Sequence, residues 1–100
     1  MSVDSFIIFN LRETYHELGT YEVKIVLNPK LFKNGHTAEV SIVDSDGRPM
    51  KCDVKKWGRK IVCFFTIDKD VPDGVAAIKL KLMNSKEKMI ERALTFWIIK

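Results

Sequence analysis

Cys52 and Cys63, the two cysteines of this 100-residue chain, are the first residues whose type and spacing bear on chemistry. If Trp57-Gly58 is the two-residue loop of a hairpin, counting outward places Cys52 directly opposite Cys63. That is a hydrogen-bonded ladder position, where Cα atoms lie about 5.5 Å apart, within reach of a disulfide. Trp-Gly is not the Asn-Gly sequence that such loops prefer, so the register is free to slip. The competing reading is two free, half-buried thiols that pack as small hydrophobes. It is favoured because the sequence shows no exported context in which a disulfide would persist.

Other reactive groups do not assemble into a motif. His16 and His36 stand alone, and neither Cys-x-x-Cys nor His-x-x-x-His spacing occurs, so no metal ligand set is assigned. Asp44 and Asp46 resemble the start of a calcium loop, but Pro49 and Lys55 stand where that loop requires Gly and Glu. A turn is the expectation there. No Gly-x-Ser-x-Gly elbow and no Gly-rich phosphate loop appears. Asp68, Asp70 and Asp73 are read as solvating a loop around Pro72. No catalytic residue, metal or cofactor is therefore predicted.

The most suggestive feature is a wet face. Lys24, Lys79 and Lys81 are expected to point outward from neighbouring strands, with Trp57 exposed at a turn tip. A basic stripe beside an aromatic suits an acidic polymer, a glycan or a protein partner. The plainer reading is that lysines on exposed strands simply keep sheet edges from pairing with other chains.

The elements that position these residues follow from period-two alternation. Tyr21, Val23, Ile25 and Leu27 form one apolar row, Ala38, Val40 and Ile42 a second, and Ile78, Leu80 and Leu82 a third. Successive strand side chains point to opposite faces, so each run has one buried and one wet side. That pattern favours antiparallel sheets over a parallel sheet covered on both faces. Between the runs lie Leu18-Gly19, Asn28-Pro29, Asn34-Gly35, Ser45-Asp46-Gly47, Trp57-Gly58 and Pro72-Asp73-Gly74, all turn chemistry. Seven strands are predicted: Ser5–Arg12, Thr20–Leu27, Thr37–Val43, Pro49–Lys56, Lys60–Ile67, Val75–Met83 and Lys88–Ile99.

Two segments admit a helix. Glu13 to Leu18 fits a helical turn as well as a loop. Asn84 to Trp97 has a capping residue, Glu87 at the capping-box position, and Met89, Ile90, Ala93, Leu94 and Trp97 on one face. The strand reading instead turns Leu94, Phe96 and Ile98 inward. It is preferred because Thr95-Phe96-Trp97-Ile98-Ile99 is strongly β-forming.

Length and composition agree with one domain over residues 1–100. The chain is 46% hydrophobic and 30% charged, and it shows no linker, repeat or low-complexity stretch, so disorder is disfavoured. Its net charge of +4 comes from interleaved cations and anions rather than from a clustered patch, which argues against nucleic acid as the partner. No run approaches the roughly 18 apolar residues of a membrane span. Met1 to Phe9 lacks the features of a signal peptide. Those signs suggest a cytoplasmic chain, a piece of a larger exported protein, or a part of a virus particle.

The order of these signals resembles bacterial immunoglobulin-like modules. Gly19-Thr20-Tyr21-Glu22-Val23-Lys24-Ile25 is similar to their opening strand, and Val43-Asp44-Ser45-Asp46-Gly47 to their Asp-x-x-Gly turn. Ile61 to Ile67 resembles the aromatic-rich strand, Asp73-Gly74 with Ala77 to Leu80 the penultimate one, and Phe96 to Ile99 the closing strand. The chain departs from antibody-type domains in lacking a Cys…Trp…Cys framework. It also has Asn84-Ser85-Lys86-Glu87 where the family commonly has Asp-x-x-Gly-Asn. The resemblance implies an all-β, two-sheet antiparallel sandwich of about seven strands. It further implies a non-catalytic structural, adhesive or binding role with a protein or glycan partner, in a surface protein or a phage virion. A small basic barrel that binds single-stranded nucleic acid is the alternative; it requires aromatics beside lysines on the wet face, where Phe64 is the clearest candidate. An enzyme would need a deep polar pocket, which a sandwich of this size seldom provides.

Overall fold

The computed structural model describes residues 2–3, 6–30, 37–83 and 89–100, with the backbone alone for residues 2 and 3. Nine strands lie among them: β1 Ser2–Val3, β2 Phe6–Phe9, β3 Thr14–Tyr15, β4 Gly19–Leu27, β5 Thr37–Val43, β6 Cys52–Trp57, β7 Lys60–Ile67, β8 Gly74–Met83 and β9 Met89–Ile98. They form a five-stranded sheet in the order β1-β2-β4-β7-β6 and a four-stranded sheet in the order β3-β9-β8-β5. The inner faces of the two sheets carry the core. Phe6, Ile25, Ile61 and Phe65 come from the larger sheet, and Ile42, Ile78, Leu80 and Phe96 from the smaller. Alternation places them there: the runs read as half-buried strands each show their apolar parity inward. The all-β sandwich expected from the sequence is what forms.

Three local expectations need correction. The predicted first strand, Ser5–Arg12, ends early, because Asn10 takes a φ of 68°, the left-handed region that Asn tolerates better than most residues. From there the chain crosses to the other sheet. Within Glu13 to Leu18 no helical turn forms; Thr14 and Tyr15 instead pair in parallel with Trp97 and Ile98 of β9. Tyr15 then drops into the core, edge-on to Phe65 and Phe96 with ring centres 5.5 and 5.3 Å away. Its hydroxyl accepts a hydrogen bond from the Arg12 backbone at 3.1 Å, so this buried polar tip keeps a partner.

The second correction concerns the strand expected over Pro49–Lys56. It begins only at Cys52, because residues 44–50 carry the chain from one sheet to the other. Asp44 organises that turn: one carboxylate oxygen accepts from the backbone of Asp46 at 2.8 Å and of Arg48 at 3.0 Å. The adjacent start of β8 requires glycine, since a Cβ on Gly74, at a φ of 139°, would come within 2.7 Å of the Ser45 Cβ.

At the far end of the chain the strand reading holds. Met89 to Ile98 pairs antiparallel with β8, with Phe96 and Ile98 buried and Ile90 and Leu94 packed against the core. The proposed helix cap, Asn84 and Glu87, lies outside the described residues, as do Asn34-Gly35 and His36.

Candidate functional site

The third correction is the register of the β6–β7 hairpin. Its loop is Gly58-Arg59, not Trp57-Gly58, and Trp57 pairs with Lys60. Gly58 has a φ of 57° while Arg59 does not have a positive φ, the pattern of a turn with glycine at its first central position. Moving the loop by one residue moves every cross-strand partner by two. Cys52 therefore faces Phe65, and Cys63 faces Val54. The cysteines are diagonal neighbours on the inner face, not a directly opposed pair, and both are free.

Their sulfurs nonetheless sit 2.7 Å apart. The contact with Cys63 lowers the pKa of Cys52, against the opposing effect of burial. The same contact, followed by burial, pushes the Cys63 thiol far up. Of the two thiols Cys63 is the one that keeps its proton, and Cys52 the one more readily ionised. Cys52 is half-buried and Cys63 fully buried.

The predicted wet face divides between the two sides of the sandwich. Lys79 and Lys81 stand on the outer face of the four-stranded sheet, on β8. Lys24 stands on the outer face of the five-stranded sheet, together with Trp57, which is 59% exposed. Two sheet layers separate these groups, so the four residues do not form one stripe.

On the smaller sheet the lysines meet acids. Register places Glu39 and Glu91 on either side of Lys81, and Lys81 Nζ lies 3.9 Å from a Glu91 carboxylate oxygen. Lys79 is flanked by Ser41 and Ala93. An open groove of about 720 Å³ is lined here by residues of β5, β6, β8 and β9, with Glu39, Lys56, Lys79, Lys81, Glu91 and Arg92 as its charged members. Its four cations outnumber its two acids, but Glu39 and Glu91 break the row of lysines at Lys81.

The larger sheet differs. Its outer face carries Ile7, Val26, Lys60 and Trp57 in one cross-strand row, and Phe9, Lys24, Val62 and Lys55 in the next. A third row holds Glu22, Phe64 and Asp53. Ile7 and Phe9 are 45% and 46% exposed. Val62 points to this outer side yet is only 7% exposed, and it does not belong to the core cluster. Val62 is thus nearly covered although it faces outward; Lys24 and Lys55 are its direct cross-strand partners, and Val26 and Trp57 stand diagonal to it. Among the described residues no ion pair engages Lys24, Lys55 or Lys60. Arg59 is committed elsewhere: its guanidinium donates to the Leu27 carbonyl at 3.2 Å, and its own carbonyl accepts from the Leu27 backbone at 2.8 Å.

Sequence reasoning found Lys24, Trp57 and Phe64 but missed Ile7, Phe9, Lys55, Lys60 and Val62. The available signal was the unbroken apolar character of Phe6-Ile7-Ile8-Phe9 and Ile61-Val62-Cys63-Phe64-Phe65, which marks strands with apolar groups on both faces.

Elsewhere, His16 Nδ1 donates to the Ile99 carbonyl at 2.8 Å. Among the described residues no three His, Cys, Asp or Glu side chains converge as metal ligands.

Comparison with known proteins identifies the architecture. No protein-family model matches the chain, and no curated protein matches it in sequence. Among solved structures, the chain is similar to CopC from Methylosinus trichosporium OB3b, with a TM-score of 0.55 and 17% identity over 88% of this chain and 85% of that one. It is similar to the Lin-41 filamin domain, with a TM-score of 0.58 and 13% identity over 93% of this chain and 90% of that one. It also matches a DUF4785 family protein from Legionella pneumophila, with a TM-score of 0.60 and 11% identity over 92% of this chain but 27% of that longer one. At these identities the likeness establishes the immunoglobulin-like β-sandwich fold and nothing further.

Proposed function

We propose that this chain is a non-catalytic binding module, carried by a bacterial surface protein or a phage virion, that contacts a protein partner through the outer face of its five-stranded sheet. The observation that carries this reading is that Ile7, Phe9 and Trp57 are exposed on one sheet face, where they share two cross-strand rows with Val26 and the nearly covered Val62. Contiguous apolar groups exposed on a folded surface mark interaction sites more often than scattered ones do, and Trp is enriched among the residues that dominate such contacts. The surface and virion settings come from the resemblance to bacterial immunoglobulin-like modules.

A second reading has a specific observation in its favour. Phe9, Trp57 and Phe64 share this face with Lys24, Lys55 and Lys60, a combination that also suits stacked bases and phosphates.

Site-specific photo-crosslinking in the native host separates the two. A photoreactive residue at position 57 should join to a polypeptide, whereas one at position 41, on the opposite face, should not. Joining to nucleic acid would favour the second reading. Equal yields from both positions, or none from position 57, would overturn the assignment of this face.

A further inference from the structure

We infer that the outer face of the five-stranded sheet seats an acidic polypeptide segment, whose apolar side chains pack on Ile7, Val26 and Trp57 while its carboxylates meet Lys24, Lys55 and Lys60. The inference rests on the binding-module reading above and specifies the chemistry of the partner.

Three features of the face select that partner. First, the two rows that hold Ile7, Phe9, Val26, Val62 and Trp57 contain Lys24, Lys55 and Lys60 and no acid. This contrasts with the other outer face, where Glu39 and Glu91 flank Lys81. Unpaired cations bordering a low-dielectric surface attract and orient an anionic partner. Second, the spacing is definite. Lys24 and Lys55 are separated by the one intervening strand that carries Val62, or about 10 Å at two strand spacings. Lys60 lies two residues before Val62 on β7, about 7 Å along the strand. A matching segment therefore places carboxylates about 10 Å apart across an apolar centre, the separation of residues two turns apart on a helix. Third, the centre of the face is aliphatic. Ile7, Val26 and Val62 offer no ring for a base to stack on, and the rings of Phe9, Trp57 and Phe64 stand on three different strands around them rather than side by side. These features favour a polypeptide over nucleic acid. A second copy of this chain would bring the same lysines against one another, so self-association through this face is opposed by like charge.

Fluorescence titration and amide NMR on the whole chain test the inference, with Trp97→Phe as the background so that Trp57 is the reporting indole. The probe is a short synthetic amphipathic helix with Glu on one face and Leu and Phe on the other. Its controls are the same peptide with Lys for Glu, and oligothymidylate. The acidic peptide should bind and perturb amides of β2, β4, β6 and β7 around Val62. Its affinity should fall about tenfold or more in a Lys24→Glu, Lys55→Glu double variant and by a similar factor in Trp57→Ala, followed by amide NMR because that variant lacks the reporting indole, while Lys79→Glu should leave it unchanged. Circular dichroism confirms that each variant remains folded.

If the acidic and basic peptides perturb the Trp57 face equally, the charge matching is wrong and the binding face survives. If oligothymidylate binds this face more tightly than the acidic peptide, the partner class is overturned in favour of nucleic acid. Perturbations confined to the Lys79 face, or no binding by any probe, overturn the inference about the acidic partner; the crosslinking yields at position 57 then decide separately whether the face itself is used.

Discussion

The two outward faces of this sandwich are built from strands of similar composition, yet they present different surfaces. On the four-stranded sheet each exposed lysine is placed by register beside an acid or a small residue: Glu39 and Glu91 about Lys81, Ser41 and Ala93 about Lys79. Its exposed apolar groups are split between the two ends, where Val75 meets Trp97 and Met83 meets Met89. On the five-stranded sheet, lysines and apolar groups share the same cross-strand rows, and Val62 is nearly removed from solvent. On the smaller sheet Lys81 already has acids on both sides, while Lys79 stands between small residues. A face of unpaired cations around exposed apolar groups leaves free energy to be gained by covering it.

Four measurements sharpen or break this contrast. The largest expected effect is kinetic and concerns the layer beneath the apolar face. Cys52 is half-buried and its acidity is raised by the Cys63 contact, so more of it is thiolate at a given pH. Iodoacetamide should label Cys52 in the native protein. Cys63 is buried and held protonated, so its labelling should be slower by about a thousandfold or more, limited by unfolding. Peptide mass mapping reads the order, and comparable rates would mean that Cys63 is not shielded in the core between the sheets.

Next in size, Leu80→Ala should cost about 2–5 kcal/mol in urea unfolding, as expected for a buried leucine. It calibrates the interior against which outer positions are compared; a neutral result would invert the register of β8 and with it the placement of Lys79 and Lys81. Val62→Ala should cost about 1.5 kcal/mol, the value of two buried methyl groups. Lys79→Ala, on the opposite outer face, should stay within about 0.5 kcal/mol of the parent. Equal costs for the two would erase the difference between the faces. The smallest effect belongs to the charge ladder. A double-mutant cycle between Lys81 and Glu91 should return about 0.2–1 kcal/mol, lost at high salt because both side chains are largely exposed. A coupling that survives high salt would mean the ladder is shielded from water rather than solvated.

The sandwich itself was legible because alternation is a local property. Tyr21 to Leu27, Ala38 to Ile42 and Ile78 to Leu82 each declare an inner side within a few residues, and burying those sides requires two sheets face to face. The closing strand was legible for the same reason, since Phe96 and Ile98 carry both β propensity and the right parity. The detour of β3 was not legible. It depends on one left-handed residue, Asn10, and on Tyr15 finding Phe65 and Phe96, which lie 50 and 81 residues further along the chain.

The amino-acid sequence by itself thus determined which side chains face inward on the long central strands, and therefore the fold class. Only the tertiary structure decided who stands beside whom. A hairpin loop displaced by one residue took Cys52 from opposite Cys63 to opposite Phe65. The order of strands placed Lys24 on one side of the molecule and Lys79 and Lys81 on the other. Facing in or out is set by a residue's own neighbours in the chain, whereas membership of a surface is set by pairing between distant segments, and pairing is a property of the whole fold.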